Sequence, residues 1–392
     1  MFTGTFKAVM AEPFKNLLNA GLVQQAAQRL SEVAPGFDGK RFVRLASSGL
    51  EALELKARAL HICQALAATL PADFDQATQQ LEAALAPPET GESMAQLHGL
   101  DHGLRGWILW PVGEYIAQHG LARPERALQV LHALTQRFTA EFAIRPFIRQ
   151  HPELSFATLK RWVHDDSAHV RRLVSEGSRP RLPWGEQLKA LIQDPRPTLP
   201  LLQALQDDPS DYVRRSVANH LNDIAKDHPQ LVARWLQDHL PQASAPRRQL
   251  LKHASRTLIK AGDPAVLKAW GLGGRFKGAA TLNVSPARVA LGGQVQLALL
   301  LQSHSPRAQT LAIDYAVHHV KADGRTSPKV FKGWQLTLPA HGQVLLKKNH
   351  PMRLITTRRY HAGRHGVAVQ INGQVVAEGS FVLHIPDEAR HD

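Results

Sequence analysis

Cysteine is nearly absent from this sequence of 392 residues, in which Cys63 is the single thiol. One thiol cannot form an internal disulfide, and the 21 histidines lack the cysteine partners that zinc fingers require. The HExxH pattern of zinc hydrolases is missing as well. We therefore expect no structural metal, no catalytic metal and no cofactor, and a reducing compartment, the cytoplasm.

Long apolar segments and acidic residues are also scarce. No run of about eighteen apolar residues occurs, and the N-terminal MFTGTFKAVMAEPFK has no apolar signal region, so neither membrane insertion nor secretion is expected. There are 33 acidic residues against 47 lysines and arginines, which gives a formal net charge of +14. This excess predicts a polyanionic partner, and nucleic acid fits better than an anionic membrane surface.

The first part of the chain has the apolar spacing of helices. Leu50, Leu53, Ala57 and Leu60 recur at helical intervals, and short Pro, Gly and Asp clusters interrupt such patterns every fifteen to twenty residues or so. Asp73, in one of these clusters, is placed to cap the helix that follows. Residues 1–270 are therefore predicted to form an all-α domain.

A repeat lies within this helical part. The segment DDSAHVRRLV (165–174) returns as DDPSDYVRRSV (207–217), and PRRQL (246–250) is a third, weaker copy. The offsets are roughly 43 and 33 residues, and an irregular period in this range is typical of HEAT-type helical pairs. We predict a HEAT-like repeat solenoid over residues 1–270 whose second helices line a concave surface.

Beyond residue 274 the apolar period changes from about 3.6 to about 2. Val295, Leu297 and Leu299 alternate with outward-facing residues, as in a half-buried strand. Asn372-Gly373 between two such segments is a strong signal for a two-residue hairpin. About seven short strands predict a small all-β immunoglobulin-like sandwich over residues 278–386, with His365 at the corner position where tyrosine is usual.

The predicted sandwich is strongly basic. Residues 273–392 hold 15 lysines and arginines against 6 acidic residues, and the basic residues gather in candidate loops. A solvated basic surface would explain this composition, but we favour an appendage that grips phosphates. Its predicted DNA contacts are Lys329, Lys332, Arg358 and Arg359.

Three acidic residues are predicted to converge on the inner helices of the repeat. Arg172 and Glu176 lie four residues apart, which by itself is most simply an ordinary surface ion pair. The repeat alignment, however, matches Glu176 with Asn219, and Asp223 lies one helical turn after Asn219 on the same face. Counting back from the two His-Pro turns places Glu141 near the same position. A carboxylate within a basic groove either neutralises arginines or stabilises positive charge during catalysis.

Basic and aromatic residues border these acids. Trp184 and Trp162 offer flat surfaces that can pack on a deoxyribose or a base, although a single tryptophan is more often part of a core. The border also contains either Arg171 or Arg172. The remaining arginines predicted to contact DNA are Arg145, Arg179, Arg181, Arg214 and Arg215.

Three segments carry a resemblance to a known family: EFAIRPFIRQHPE, HVRRLVSEGSRPRLPW and DDPSDYVRRSVANHLNDIAKDHP. They resemble the AlkC branch of the HEAT-like DNA alkylation-repair glycosylases. The resemblance implies excision of cationic N-alkylated bases, chiefly 3-methyladenine and 3-methylcytosine, from duplex DNA without base flipping. It places Glu141, Glu176, Trp184 and Asp223 at the active site, with Arg172 as a nearby DNA contact.

Two alternatives remain open. In the related AlkD branch a tryptophan and an aspartate four residues apart form the site, and here Trp162 and Asp166 have that spacing. The chain could also be a non-enzymatic HEAT scaffold that binds nucleic acid or an acidic protein. In either case we expect a protein of the bacterial cytoplasm, associated with the nucleoid and working as a monomer.

Overall fold

The computed structural model describes residues 13–91, 100–272, 274–353 and 359–385. Helices occupy the N-terminal part of the chain and strands the C-terminal part. The chain divides into two compact units, Met1–Asp227 and His228–Asp392. The change from helix to strand falls between residues 269 and 278, so the last helices share the second unit with the strands.

The described residues of the first unit form helices joined by loops, with one isolated β-bridge between Leu85 and Leu104. Asn19, Asp38 and Asp73 begin helices as side-chain caps, and Asp73 accepts a hydrogen bond from Gln76 N at 2.9 Å, as the sequence predicts. The helices are α1 (Ala20–Val33), α2 (Gly39–Ser47), α3 (Leu55–Ala67), α4 (Phe74–Ala83), α5 (Leu109–His119), α6 (Pro124–Thr135), α7 (Arg145–Gln150), α8 (Pro152–Trp162), α9 (Ala168–Gly177), α10 (Lys189–Gln193), α11 (Leu199–Leu205) and α12 (Asp211–Asp227).

The predicted repeat has the same local structure in both strong copies. Asp165 and Asp208 each accept a hydrogen bond from the backbone N–H two residues later, at 2.9 Å in both cases. Arg171 and Arg214 each fold back onto the carbonyl oxygen of that same aspartate. Helices α9 and α12 therefore begin in the same way, and they pack against each other as the second helices of neighbouring HEAT-like pairs.

The second unit begins with four short helices and continues with eight strands among its described residues. The weak third copy of the repeat starts the second of these helices, where Ser244 is the cap. The helices are α13 (Pro229–His239), α14 (Ala245–Ala254), α15 (Arg256–Ala261) and α16 (Pro264–Ala269). The strands are β1 (Gly278–Ser285), β2 (Arg288–Ala290), β3 (Gln294–Ser303), β4 (Gln309–Val320), β5 (Thr326–Leu338), β6 (Gln343–Pro351), β7 (Gly363–Ile371) and β8 (Gln374–His384).

The strands form two sheets that enclose one apolar core. The order is β1-β3-β6 in one sheet and β2-β8-β7-β4-β5 in the other, with β2 parallel to β8. Val295, Leu297 and Leu299 are fully buried between the sheets, as the period of two predicts. The prediction of an all-α HEAT-like part followed by an immunoglobulin-like sandwich is confirmed.

Two local predictions for the sandwich can be checked in atomic detail. Asn372 and Gly373 join β7 to β8 with φ of 50° and 77°, the two positive values that a type I′ hairpin turn requires. His365 is fully buried, and its ring Nε2 lies 3.1 Å from the carbonyl oxygen of His361. This histidine thus makes the backbone contact that a corner tyrosine makes in related sandwiches.

Candidate active site

A cleft of about 580 Å³ in the first unit collects most of the predicted catalytic residues. Glu141 reaches it from the turn before α7, Glu176 from α9, and Trp184 from the loop after α9. The neighbouring helix α12 contributes the ring of Tyr212. The packing of α9 against α12 therefore builds a site from segments that are distant in sequence.

The charged side chains of the site form one ion-pair network with alternating sign. Arg172 Nη1 lies 2.8 Å from Glu141 Oε2, while its Nη2 lies 3.8 Å from Glu176 Oε1. Arg179 continues the network, with Nη1 2.6 Å from Glu176 Oε1 and Nε 2.8 Å from Asp223 Oδ2. The members, in order, are Glu141, Arg172, Glu176, Arg179, Asp223 and Lys226, whose Nζ lies 2.8 Å from Asp223 Oδ1.

The network keeps Glu176 and Arg172 ionised. Burial raises the pKa of the Glu176 carboxyl, but Arg172 and Arg179, together with the hydroxyl of Ser216, outweigh this effect and lower the pKa below its ordinary value. Burial likewise lowers the pKa of Arg172, and the charges of its neighbours, above all Glu141, more than reverse the shift. Glu176 and Arg172 are therefore fixed charges of the site, with no neutral carboxylic acid at Glu176.

The three acidic residues differ in how their oxygens are occupied. Both oxygens of Glu176 accept hydrogen bonds, Oε1 from Arg179 and Oε2 from Ser216 at 2.5 Å. Asp223 is equally saturated and lies behind Arg179, outside the lining of the cleft. Glu141 accepts from its neighbours through Oε2 only, and among the described residues none donates to its Oε1. Glu141 therefore has a carboxylate oxygen left to bind a substrate or a water.

Trp184 is an unusual residue of the cleft in two respects. Its side chain is 72% exposed, although it is large and apolar. Its φ is 64°, in the left-handed region that costs a non-glycine residue about 1–2 kcal/mol. A strained backbone that holds an aromatic ring in solvent is typical of a binding site, because packing gives no reason for it.

The apolar wall of the cleft was not among the residues predicted from the sequence. Trp107 packs against Phe138 and Trp110, with ring centroids 5.4 and 6.1 Å apart, and Trp110 stacks on Phe142 at 5.3 Å. Phe14, which is 63% exposed, also lines the cleft, with its ring centroid 6.1 Å from that of Trp107. The pair of tryptophans three residues apart was the available signal, but the other rings come from remote segments.

Polar residues of the site were missed as well. The hydroxyl of Thr139 lies beside Glu141, and the hydroxyl of Ser216 lies beside Glu176. The guanidinium of Arg172 lies over the ring of Tyr212, with its carbon 4.9 Å from the ring centre. Tyr212 and Ser216 belong to the second copy of the repeat, so the alignment could have placed them next to α9.

Two arginines predicted to contact DNA donate to backbone carbonyl groups, and the prediction for Arg145 requires correction. Arg145 is fully buried and donates to the carbonyl oxygens of Glu186 (2.6 Å) and Gly177 (2.8 Å). Burial lowers the pKa of Arg145 to about 10. Arg214 donates to the carbonyl oxygens of the turn before its own helix. The guanidinium of Arg145 is therefore not accessible to a phosphate, whereas Arg214 is partly exposed beside Asp211 and its DNA contact stays a prediction.

Trp162 lies in a different cleft from Glu176. Its ring packs on His132 at a centroid distance of 5.3 Å, in a space of about 380 Å³ between α6 and α8. His132 in turn lies 2.7 Å from Asp165, whereas Asp166 is exposed and does not line this space. The alternative position of the site, at Trp162 and Asp166, therefore has neither the ion-pair network nor a shared cleft.

The other predicted DNA contacts vary in exposure. In the first unit, Arg179 is buried inside the network, Arg181 is paired twice with Asp227 at 2.7 and 2.8 Å, and Arg215 is largely exposed beside Asp211. In the second unit, Lys329 lies near the ring of Phe331, and Lys332 and Arg359 are exposed. Arg358 lies outside the described residues.

The described residues contain no candidate metal cluster and no candidate membrane-spanning helix. No group of three or more His, Cys, Asp or Glu side chains is placed to hold a metal ion. Within the same residues no helix has both the length and the apolar character needed to cross a membrane.

The fold and the cleft define a class of helical-repeat proteins with an appended immunoglobulin-like sandwich. The family described as "DNA alkylation repair enzyme" matches residues 137–258, and "Uncharacterised protein YhaZ, C-terminal Ig-like domain" matches residues 278–385. The chain is 35% identical to the "Uncharacterized protein YhaZ" of Bacillus subtilis (strain 168) over 371 residues, which cover 92% of this chain and 96% of that protein.

The structure is also similar to that of Pseudomonas fluorescens alkylpurine DNA glycosylase AlkC, solved bound to DNA containing an abasic site analog. The TM-score is 0.85 and the identity 34%, over 95% of this chain and 100% of that one. This chain therefore belongs to the AlkC branch of the DNA alkylation repair enzymes. Glu141, Glu176, Trp184 and Asp223 all fall within the segment that matches the repair-enzyme family.

Proposed function

We propose that this protein is a monofunctional DNA glycosylase that excises cationic N-alkylated bases, chiefly 3-methyladenine and 3-methylcytosine, from duplex DNA as the first step of base excision repair. The observation that carries the proposal is the half-occupied carboxylate of Glu141, held by Arg172 at the edge of an aromatic cleft. Membership of the AlkC branch and the chemistry of the cleft both support it.

The reaction is hydrolysis of the bond between the base nitrogen and C1′ of the deoxyribose. Alkylation at a ring nitrogen gives the base a positive charge, so the bond electrons leave with the base and neutralise it without an added proton. The protein has to stabilise the oxocarbenium character that develops on the sugar and to position a water for attack at C1′. A fixed carboxylate does both, because it is negative and accepts a hydrogen bond from the water. As the C1′–O bond forms, the carboxylate takes the proton that the water loses and passes it to solvent.

In this proposal the three acidic residues have different roles. Glu141 Oε1 faces the sugar or the water, because its other oxygen is already bound. Glu176 holds Arg172 and Arg179 in place, and Asp223 fixes Arg179 from behind. The side chain of Trp184 packs on the deoxyribose, so that the cationic base meets Glu141 while the sugar is held from the other side.

The DNA partner is bound mainly through its phosphates. Arg215, and Arg181 once it releases Asp227, are the basic groups of the first unit that we assign to this contact. Lys329, Lys332 and Arg359 act in the same way from the sandwich. The duplex is gripped and distorted without base flipping, by a monomer that works on the nucleoid in the cytoplasm.

The test is a single-turnover assay of base release from duplex DNA that carries 3-methyladenine. Glu141→Gln removes the charge and keeps the shape, and we expect release to slow by about 100-fold or more, as for other groups that stabilise charge in a transition state. Glu32→Gln is the matched control, because Glu32 is an exposed carboxylate paired only with side chains of its own helix. Absence of release by the wild-type protein, with DNA bound normally, would instead favour a non-enzymatic scaffold.

A further inference from the structure

Thr139 lies in the turn between α6 and α7, two residues before Glu141, and lines the cleft. Its hydroxyl oxygen is 2.5 Å from Glu141 Oε2. The same oxygen lies 3.3 Å from Arg172 Nη1 and 3.5 Å from the backbone N of Glu141. Both nitrogens are donors, so the hydroxyl accepts from them and its single proton is directed to the Glu141 carboxylate.

The direction of this proton determines which oxygen of Glu141 is free. Thr139 and Arg172 both donate to Oε2, and Arg172 alone would not hold the carboxylate in one orientation, because its guanidinium also faces Glu176. A hydrogen bond from a residue two positions away in the same turn removes that freedom at small entropic cost, since the turn is already ordered. Oε1 is therefore the oxygen that remains available in the cleft.

Ser216 provides a comparison within the same site. Its hydroxyl donates to Glu176 Oε2 at 2.5 Å, the same contact that Thr139 makes with Glu141. The other oxygen of Glu176 is occupied by Arg179, however, so that hydroxyl completes a saturated carboxylate. The two hydroxyl groups donate at the same distance and have different consequences because, of these two carboxylates, only Glu141 is left with an open acceptor.

We propose that Thr139 is a positioning residue for the excision reaction: it fixes the Glu141 carboxylate so that Oε1 meets the substrate or the attacking water. The inference rests on the proposed glycosylase function and assigns a role to a residue that makes no bond to the reacting atoms. The role requires the hydroxyl and not the methyl group of Thr139, and this distinction makes it testable.

The experiment compares Thr139→Val with Thr139→Ser in the full-length protein. Val keeps the branched shape and removes the hydroxyl, and we expect the single-turnover rate of 3-methyladenine release to fall about 10- to 100-fold, the range for a lost hydrogen bond to a charged group. Affinity for duplex DNA with an abasic site analogue should change less than about twofold, because Thr139 contributes no phosphate contact. The Ser variant keeps the hydroxyl and should stay within about threefold of the wild-type rate.

Thr69→Val is the matched control, because the Thr69 hydroxyl donates to carbonyl groups at the end of the preceding helix α3, away from the cleft. A wild-type rate in Thr139→Val, or equal losses in the Val and Ser variants, would overturn the inference. A crystal structure of the Val variant gives a readout independent of activity, and we expect Glu141 to leave the arrangement described. Lack of release by the wild-type protein would count against the proposed function, whereas an unmoved Glu141 would count against Thr139.

Discussion

Arg171 grips Asp208 through two hydrogen bonds, from Nε at 2.7 Å and from Nη2 at 3.1 Å. The two residues come from successive copies of the repeat, and both side chains are largely buried. Asp208 also accepts from the backbone N–H of Ser210 and so begins the turn into α12. One carboxylate therefore shapes its own repeat and ties it to the previous one, which keeps α9 and α12 in the alignment that builds the cleft.

Removal of Asp208 should destabilise the first unit strongly. We expect Asp208→Ala to lower the free energy of unfolding by about 2–3 kcal/mol, because it leaves the largely buried guanidinium of Arg171 without its counter-ion. Urea denaturation measures the change. Arg196→Ala is the control, since Arg196 pairs with Asp194 while 78% exposed and should cost less than about 1 kcal/mol. Equal losses in the two variants would show that Arg171 and Asp208 do not act as a buried pair.

The repeat was predictable from sequence because its signals are local. The Asp turns and the arginines that fold back on them occupy the same positions in both copies. An alignment of the two sequences therefore pairs residues that make equivalent contacts. The Asn372-Gly373 hairpin was predictable for the same reason, since only a few residue types accept two positive φ angles. Strand β2 has three residues and is defined by its parallel pairing with β8, a tertiary contact that no local pattern encodes.

The sequence predicted which residues belong to the candidate site better than it predicted the contacts between them. The spacing paired Arg172 with Glu176, yet these charges are 3.8 Å apart, and each has a shorter partner elsewhere: Glu141 for Arg172 and Arg179 for Glu176. Arg145 was expected at the surface, because charge can be read from sequence whereas burial depends on which carbonyl groups the fold brings to it. Which acid keeps a free oxygen depends on hydroxyl groups that the sequence does not single out.

The ion-pair network should make the first unit sensitive to acid. The lowered pKa of Glu176 means that its stabilising effect is complete above the ordinary carboxyl pKa of about 4.3 and is lost as the pH falls through the lowered value. We expect Glu176→Gln to lower the free energy of unfolding by about 3 kcal/mol at pH 7, because Arg172 and Arg179 lose a buried counter-ion. Below about pH 4 the wild type loses this stabilisation too, so the variant should lose less additional stability there than the wild type does. If the free energies of unfolding of the wild type and the variant, measured from pH 7 to pH 3, fell in parallel, this expectation would be contradicted.

His220 should give a second and separate pH dependence. It is fully buried on α12 with Nδ1 2.9 Å from the carbonyl oxygen of Ser175, and burial lowers its pKa to about 4. The His220 imidazole is therefore protonated below about pH 6.5 in the unfolded chain but only below about pH 4 in the folded protein. The free energy of unfolding consequently falls as the pH drops through this window. Between pH 7 and pH 5 the loss from this residue should be about 2 kcal/mol.

His220→Gln tests this directly, because glutamine can still donate to Ser175 but does not titrate. The variant is expected to lose about 2 kcal/mol less than wild type between pH 7 and pH 5 in urea denaturation. The same substitution at His164, which is exposed, is the matched control. An unchanged pH dependence in His220→Gln would mean that the buried ring is not the group that responds.

We expect Trp184 to contribute to activity at a cost in stability. Its left-handed backbone is strained and its ring is mostly in solvent, so Trp184→Gly relieves strain and removes little packing. We expect the variant to be between equally stable and about 1 kcal/mol more stable in thermal unfolding, with single-turnover release at least about tenfold slower. Gln242 is a matched control in the second unit, because it is also exposed with a φ of 57°, so Gln242→Gly should give a similar stability change and an unaltered rate of release. A destabilised Trp184→Gly with full activity would show that the ring serves the fold and not the substrate.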